Sequence, residues 1–308
     1  MEDLLSVMDA AEELEDILSA GERFKTARRG EGHNHPLRGK TLAMIFEKAS
    51  TRSRISFEVG MAHLGGAALY LSRQDLQLGR GETLEDTARV LSRYVDAILY
   101  RASRHDDVVR LAEAASVPVI NGLDDLEHPA QILSDLFTIR EALGDPRGRK
   151  LAYVGDGNNV CNSLLLGCAL TRMNVAVATP SGYEPDAGIL ALAERTAAEG
   201  NAGVKVVQDP AEAVAGADIV YTDVWVSMGM EEQREARERV FRSYQVNPEL
   251  LNGANPEVRV MHPLPAHRGL EITDAVLDGP ASLAWDQAEN RLHVQKALLV
   301  RLLGGGES

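Results

Sequence analysis

The sequence predicts an α/β fold of two doubly wound parallel-sheet domains. Three observations carry this. Short apolar runs alternate with helix-length amphipathic runs along most of the chain. The short runs are almost continuously apolar, as strands covered by helices on both faces must be. A polar break, Gly144-Asp-Pro-Arg-Gly148, divides the alternation, and 308 residues suit two domains of ordinary size. The boundaries that follow are 1–143 and 149–288, joined near residues 141–150.

The N-terminus reads as one amphipathic helix, with Leu4, Leu5, Met8, Ala11, Leu14, Ile17 and Leu18 on a single stripe. It has no basic stretch followed by an apolar one, so it does not read as a secretory signal. Thr41–Phe46 is then a strand, and Ser50–Leu64 a helix stopped by Gly65-Gly66. Ala67–Leu71, Ala97–Tyr100 and Val117–Asn121 read as strands; Thr83–Tyr94 and Asp106–Ala115 read as helices between them. A helix opens at His128-Pro-Ala-Gln131, where Pro129 suits the first turn, and runs to Leu143. Beyond the break come strand Leu151–Val154, helix Val160–Arg172, strand Val175–Thr179 and helix Ala187–Glu199. Strands Val204–Val207, Ile219–Thr222 and Arg259–Met261 follow, and the last helix is Glu289–Leu303.

Composition narrows the function. Hydrophobic residues make up 44% and charged residues 25%, a soluble balance. No apolar run approaches the roughly 20 residues a membrane helix needs. The net charge of −14 argues against a nucleic-acid partner. An anionic substrate is still compatible, because a local arginine cluster overrides net charge. Arginines number 26 against six lysines, a bias that a high-salt cytoplasm and a GC-rich genome explain equally well. Cys161 and Cys168 read as reduced core residues of a cytosolic protein.

Five segments carry chemistry. Phe46-Glu-Lys-Ala-Ser-Thr-Arg-Ser-Arg54 joins a strand to a helix through hydroxyls and arginines. A helix N-terminus offers unpaired N–H groups and positive potential, so Ser50, Thr51, Arg52 and Ser53 form either a phosphate site or merely a capped helix with solvated arginines. It has no Walker glycines. Gly155-Asp-Gly-Asn-Asn159 is a partial dinucleotide fingerprint whose third glycine is Val160; it reads also as a tight turn with two asparagines at a strand end. His128 and Gln131 sit at a helix start. Asp223 and Ser227 follow an apolar strand. In Met261-His-Pro-Leu-Pro-Ala-His-Arg-Gly269 the two histidines lack a helical metal spacing, and no zinc pattern completes them.

The set FEKASTRSR, DLQLGRGE, ARVLSRYVDAILYR, HPAQ, GDGNN, DVWVSMG, HPLPAHRG and WDQAENRLHVQKALL, in that order, strongly resembles the carbamoyltransferase family over residues 40–303. DVWVSMG and AHRG resemble its ornithine branch. The resemblance implies a carbamoyl-phosphate domain over 1–143, completed by the C-terminal helix 289–308, and an ornithine domain over 149–288. It implies terminal helices packed on the first domain, a cytoplasmic homotrimer, and no metal or cofactor. Carbamoyl phosphate would be held by Ser50, Thr51, Arg52, Ser53, Gln77, Arg101, His128, Gln131, Pro263, Leu264 and Arg291. Thr51, Arg101 and His128 would be catalytic. Ornithine would meet Asn159, Asp223, Ser227 and Met228. The chain departs from the family's usual residues at Ala49 (Pro), Ser53 (Thr) and Pro263, where ornithine enzymes carry Cys and aspartate enzymes Pro. Transfer to aspartate or putrescine, a nicotinamide-dependent oxidoreductase built on GDGNN, and a non-catalytic carbamoyl-phosphate or amino-acid sensor are the competing readings.

Overall fold

The computed structural model describes residues 1–27, 35–79, 81–226 and 231–304. The helices are α1 (Leu14–Thr26), α2 (Thr51–His63), α3 (Leu84–Leu91), α4 (His105–Ala114), α5 (Pro129–Leu143), α6 (Asn159–Leu170), α7 (Ala187–Glu199), α8 (Pro210–Val214), α9 (Arg234–Phe241), α10 (Pro248–Leu251), α11 (Asp274–Leu277) and α12 (Ala284–Leu303). The strands are β1 (Thr41–Phe46), β2 (Ala67–Ser72), β3 (Ala97–Arg101), β4 (Val119–Leu123), β5 (Lys150–Val154), β6 (Asn174–Ala178), β7 (Val204–Val207), β8 (Ile219–Tyr221) and β9 (Arg259–Met261). The chain divides into two compact units: Met1–Phe137 with Glu289–Ser308, and Thr138–Ala288.

Unit 1 holds a parallel sheet in the order β2-β1-β3-β4. Every residue of β3 is buried, and β1 is buried from Leu42 onward. Each such Leu, Ile or Phe contributes about 1.5–3 kcal/mol by leaving water. Unit 2 holds a parallel sheet in the order β7-β6-β5-β8-β9. Its core joins Ala152, Val154, Val220 and Val260 of the sheet to Trp225, Phe241 and Ile272. The two-sheet parallel α/β architecture expected from the alternation is thus present.

Both sheets have a topological switch point, where successive connections leave in opposite directions along the sheet. It lies between β1 and β3 in unit 1 and between β5 and β8 in unit 2. Open parallel sheets bind ligands at such points, outside the carboxyl ends of the strands.

Local chemistry sets the helix starts. Ser50 caps α2 by accepting from Ser53 N–H at 3.3 Å. Thr83 caps α3 in the same way at 3.1 Å from Asp86 N–H. Such caps are worth about 1 kcal/mol each.

Two terminal expectations are corrected. The N-terminus is not one helix from Leu4. Leu4 N–H donates to the Val119 carbonyl at 2.9 Å, and its own carbonyl accepts from Asn121 N–H at 2.8 Å. β4 is an edge strand whose free backbone groups capture Leu4 in a parallel bridge. Ser6 then caps a short 3-10 turn, Val7–Ala10, before α1 begins at Leu14. The C-terminal helix starts at Ala284, five residues earlier than the periodicity suggests. Among the described residues, no helix is long and apolar enough to cross a membrane.

Candidate active site

In unit 1, β1 and β3 run side by side with Phe46 opposite Arg101. Glu47 N–H donates to the Arg101 carbonyl at 3.0 Å. This register sets the Arg101 guanidinium at the strand ends where α2 begins. Ser50 is half-buried at the cap, Thr51 is exposed, and Arg52 is half-buried. Ser53 is buried, and its Oγ accepts from Arg291 Nη2 of α12 at 2.6 Å. This bond spans 238 residues of sequence.

Arg101 is buried, and no carboxylate pairs with it among the described residues; its Nε has no hydrogen-bond partner there either. Burial, and then the charge of Arg52, pull its pKa down to about 10. His128 is buried immediately before α5. Burial, followed by the charges of Arg291 and Arg101, holds its imidazole well below the ordinary histidine range. His128 is therefore a neutral donor beside cations. Burying an uncompensated charge costs several kcal/mol. The charges of Arg101, Arg52 and Arg291 favour an anion at this place, and the positive end of α2 adds to them.

Gln131 lies in α5 and donates to Asp135 Oδ1 at 2.8 Å, both residues being buried. Gln77 is exposed in the single 3-10 turn Gln77–Gly79. No hydrogen bond or ion pair joins its side chain to the cluster among the described residues. Pro263 and Leu264 fall in unit 2, unlike the other residues assigned to carbamoyl phosphate.

In unit 2, the loops after β5, β8 and β9 carry the polar side chains. Asn158 Oδ1 caps α6 by accepting from Val160 and Cys161 N–H at 3.0 and 3.1 Å. Its Nδ2 donates to Asp223 Oδ2 at 2.9 Å. Burial pushes the Asp223 carboxyl above the usual carboxylate range, against the Asn158 amide and the Val224 N–H that it accepts. Asn159 opens α6 and is half-buried. Ser227 and Met228 lie outside the described residues.

Asp156 forms a buried ion pair with Arg237 of α9 at 2.7 Å. The same guanidinium nitrogen donates to the Trp225 carbonyl at 3.0 Å, and the group lies over the Tyr183 ring. Arg237 thereby ties the β5 loop to the β8 loop. Sequence reading missed this residue, because nothing local marks one arginine of a charged helix as buried. It also assigned no role to Asn158, the cap of α6, whose tie to Asp223 crosses from one loop to another.

Gly157 removes one competing reading. A Cβ there would come within 2.3 Å of Pro185 N and 2.5 Å of the Tyr183 carbonyl oxygen. In a dinucleotide fold that glycine makes room for pyrophosphate. Here the room is filled by the protein's own backbone.

The stretch after β9 is a turn organised by its histidine. His262 is fully buried; its Nδ1 accepts from Leu264 N–H at 2.9 Å, and its Nε2 lies 3.0 Å from Glu271 Oε1. An accepting Nδ1 puts the proton on Nε2, which donates to the carboxylate. Both ring nitrogens are engaged, so this is not a ligand awaiting a metal. Glu271 also accepts from His267 N–H at 2.6 Å. His262 N–H donates to Gln287 Oε1 at 2.9 Å, and Gln287 Nε2 donates to Tyr221 OH at 3.0 Å. The result presents Leu264 at φ 54°, a left-handed conformation unusual for a leucine. Pro263 is buried in the turn.

Fold and site together define a two-unit parallel α/β protein with an arginine-lined switch point in one unit and an acidic, amide-lined one in the other. Residues 2–141 match the carbamoyl-phosphate-binding domain of aspartate/ornithine carbamoyltransferases, and residues 147–302 match the Asp/Orn-binding domain. The chain belongs to the aspartate/ornithine carbamoyltransferase family. It is 59% identical to an ornithine carbamoyltransferase of Methanothermobacter thermautotrophicus over 304 residues, covering 99% of each chain. It is 55% identical to that of Pyrococcus horikoshii, covering 98% of this chain and 96% of the relative. Among solved structures, the ornithine carbamoyltransferase of Pyrococcus furiosus superposes with a TM-score of 0.95 at 54% identity, over 99% of this chain and 98% of that one.

Proposed function

We propose that this protein is an enzyme that transfers the carbamoyl group of carbamoyl phosphate to the δ-amine of L-ornithine, giving L-citrulline and phosphate. The observation that carries the reading is buried Arg101, without a carboxylate partner among the described residues, beside neutral His128 and the Arg291–Ser53 bond. Unit 1, to which residues 289–308 belong, is then the carbamoyl-phosphate domain, and 149–288 the ornithine domain.

The leaving phosphate is held by Ser50, Arg52 and Ser53, with Arg291 and, on an exposed turn, Gln77. Charge developing on the carbonyl oxygen is met by Thr51, Arg101 and His128. His128 serves best as a neutral donor, since its cationic neighbours already supply charge. Gln131 and the Leu264 carbonyl, with Pro263, address the carbamoyl NH₂. Asp223 offers the negative charge that an ornithine ammonium needs, and Asn159 an amide for the amino-acid head; Ser227 and Met228 complete that set by resemblance. The attacking amine has a free pKa of about 10.4 by analogy with lysine and must lose its proton first. Holding both substrates in line supplies much of the remaining acceleration. A cytoplasmic homotrimer acting in arginine metabolism is the natural setting, supported by the resemblance and by two free, buried cysteines.

Pro263 favours one rival, transfer to aspartate. Buried Asp223 opposes it, because aspartate would bring a second carboxylate to an acidic site. The deciding assay supplies carbamoyl phosphate with ornithine, aspartate or putrescine, using the native chain and Pro263→Cys. Citrulline as the main product is expected. Carbamoylaspartate without citrulline refutes the reading. A large gain in Pro263→Cys shows that the proline tunes amine placement.

A further inference from the structure

A network behind His128 has no part in the assignments above. Asp124 follows β4 and is 1% exposed. Its Oδ1 accepts from Leu126 and Glu127 N–H at 2.8 and 2.7 Å, and its Oδ2 from Asn121 Nδ2 at 2.7 Å. Its backbone N–H donates to the Glu127 carbonyl at 3.0 Å, closing the turn that ends one residue before His128. Asp124 Oδ2 is also 2.7 Å from His105 Nδ1, at the start of α4. His105 N–H donates to Asp125 Oδ1 at 2.7 Å. Glu127 in turn accepts from Val7 N–H at 3.1 Å, anchoring the turn to the N-terminal segment.

We propose that Asp124 is a positioning residue for His128, and that the charge on His105 sets how firmly it holds the turn. The proposal rests on the reading that His128 contacts the carbamoyl group. A carboxylate with this many donors fixes both the path of the turn and the point at which α5 begins. His105 is a partly exposed partner in the network, and an imidazole can gain or lose its charge within the physiological range. Asp124, Asp125 and Glu127 face it from the turn, and Asp106 and Arg104 flank it on its own helix. The bond to Asp124 holds its imidazolium above the ordinary histidine range, against partial burial. The charged pair is therefore present at lower pH. It is lost as pH rises through that raised value, leaving a weaker neutral bond.

The test combines kinetics with histidine NMR on the full chain, comparing the native protein, Asp124→Asn and His105→Gln. In Asp124→Asn, kcat/KM for carbamoyl phosphate falls about 10- to 100-fold through misplacement of His128, while KM for ornithine is unchanged. The native KM for carbamoyl phosphate rises as His105 loses its proton, and His105→Gln removes that dependence. The His128 ring resonance, assigned with His128→Asn, moves as His105 titrates in the native protein and stays still in His105→Gln. A His128 resonance indifferent to His105 overturns the proposal, as does an Asp124→Asn variant that loses affinity for both substrates equally. His105→Gln keeps the question decidable if Asp124→Asn does not fold. If no citrulline forms yet the NMR coupling is present, the functional reading fails and the positioning network stands.

Discussion

The two switch points are built from the same backbone geometry and carry opposite charge. In unit 1, the strand ends gather Arg101, Arg52, Arg291 and the hydroxyls of the α2 start. In unit 2, they gather Asp223, Asp156 and Glu271, with Asn158 between the loops. A helix N-terminus opens beside each, and its partial positive charge is about half a unit. In unit 1 it adds to the arginines. In unit 2, Arg237 balances Asp156, and the cap residue Asn158 gives its amide N–H to Asp223. One parallel-sheet plan thus gathers arginines at one switch point and carboxylates at the other, according to a few side chains in the loops.

The contrast also shows in how the buried charges are satisfied. Asp156 has a full partner in Arg237, so that charge is structural. Arg101 has no carboxylate partner among the described residues, as a charge kept for an anionic ligand would. Arg237→Met tests this most severely. Leaving Asp156 buried and unpaired is expected to destabilise the protein by about 3–5 kcal/mol, read as a lower midpoint in urea unfolding. An unchanged midpoint would mean the pair contributes nothing.

Arg101→Met is the counterpart on the other side. Losing a preorganised donor to the developing oxyanion lowers kcat by about 10²- to 10³-fold, with stability equal to or above that of the native chain. If stability falls and turnover does not, the roles assigned to the two arginines are reversed.

Asp223→Asn should raise KM for ornithine by about 100-fold, the scale of losing one partner of a buried charge pair, and leave carbamoyl-phosphate binding intact. The same residue predicts a pH dependence. Its carboxyl titrates above the usual range because it is buried, so the free enzyme loses ornithine affinity as pH falls through that raised value and keeps it above. A native KM for ornithine that is flat on the acid side would refute this role. The smallest change is Ser53→Ala. Removing one hydroxyl beside Arg291 should raise KM for carbamoyl phosphate about tenfold, typical of one hydrogen bond to a charged group.

Much of the candidate site could be named from sequence because its parts lie at chain punctuation. Ser50–Ser53, His128 and Asp223 all sit where an apolar strand stops or a helix starts, and those junctions are what periodicity and capping reveal. The resemblance placed the same residues. The partnership of Arg291 with Ser53, the burial of Arg237 and the Asp124–His105 contact were not legible. Each joins elements remote in sequence, and a lone arginine or aspartate gives no local sign of its depth. The N-terminal stripe misled for a related reason: its apolar spacing suits a helix, but the open edge of β4 offers Leu4 a better partner.

The sequence by itself determined the alternation of strands and helices, the break near residue 144 and the identity of the polar loops. Those follow from side-chain period and turn chemistry, which act over a few residues. Only the tertiary structure decided which loops share a switch point, which charges are left without a partner, and which glycine is filled by backbone. Strand order and register settle those, through contacts that no local pattern encodes.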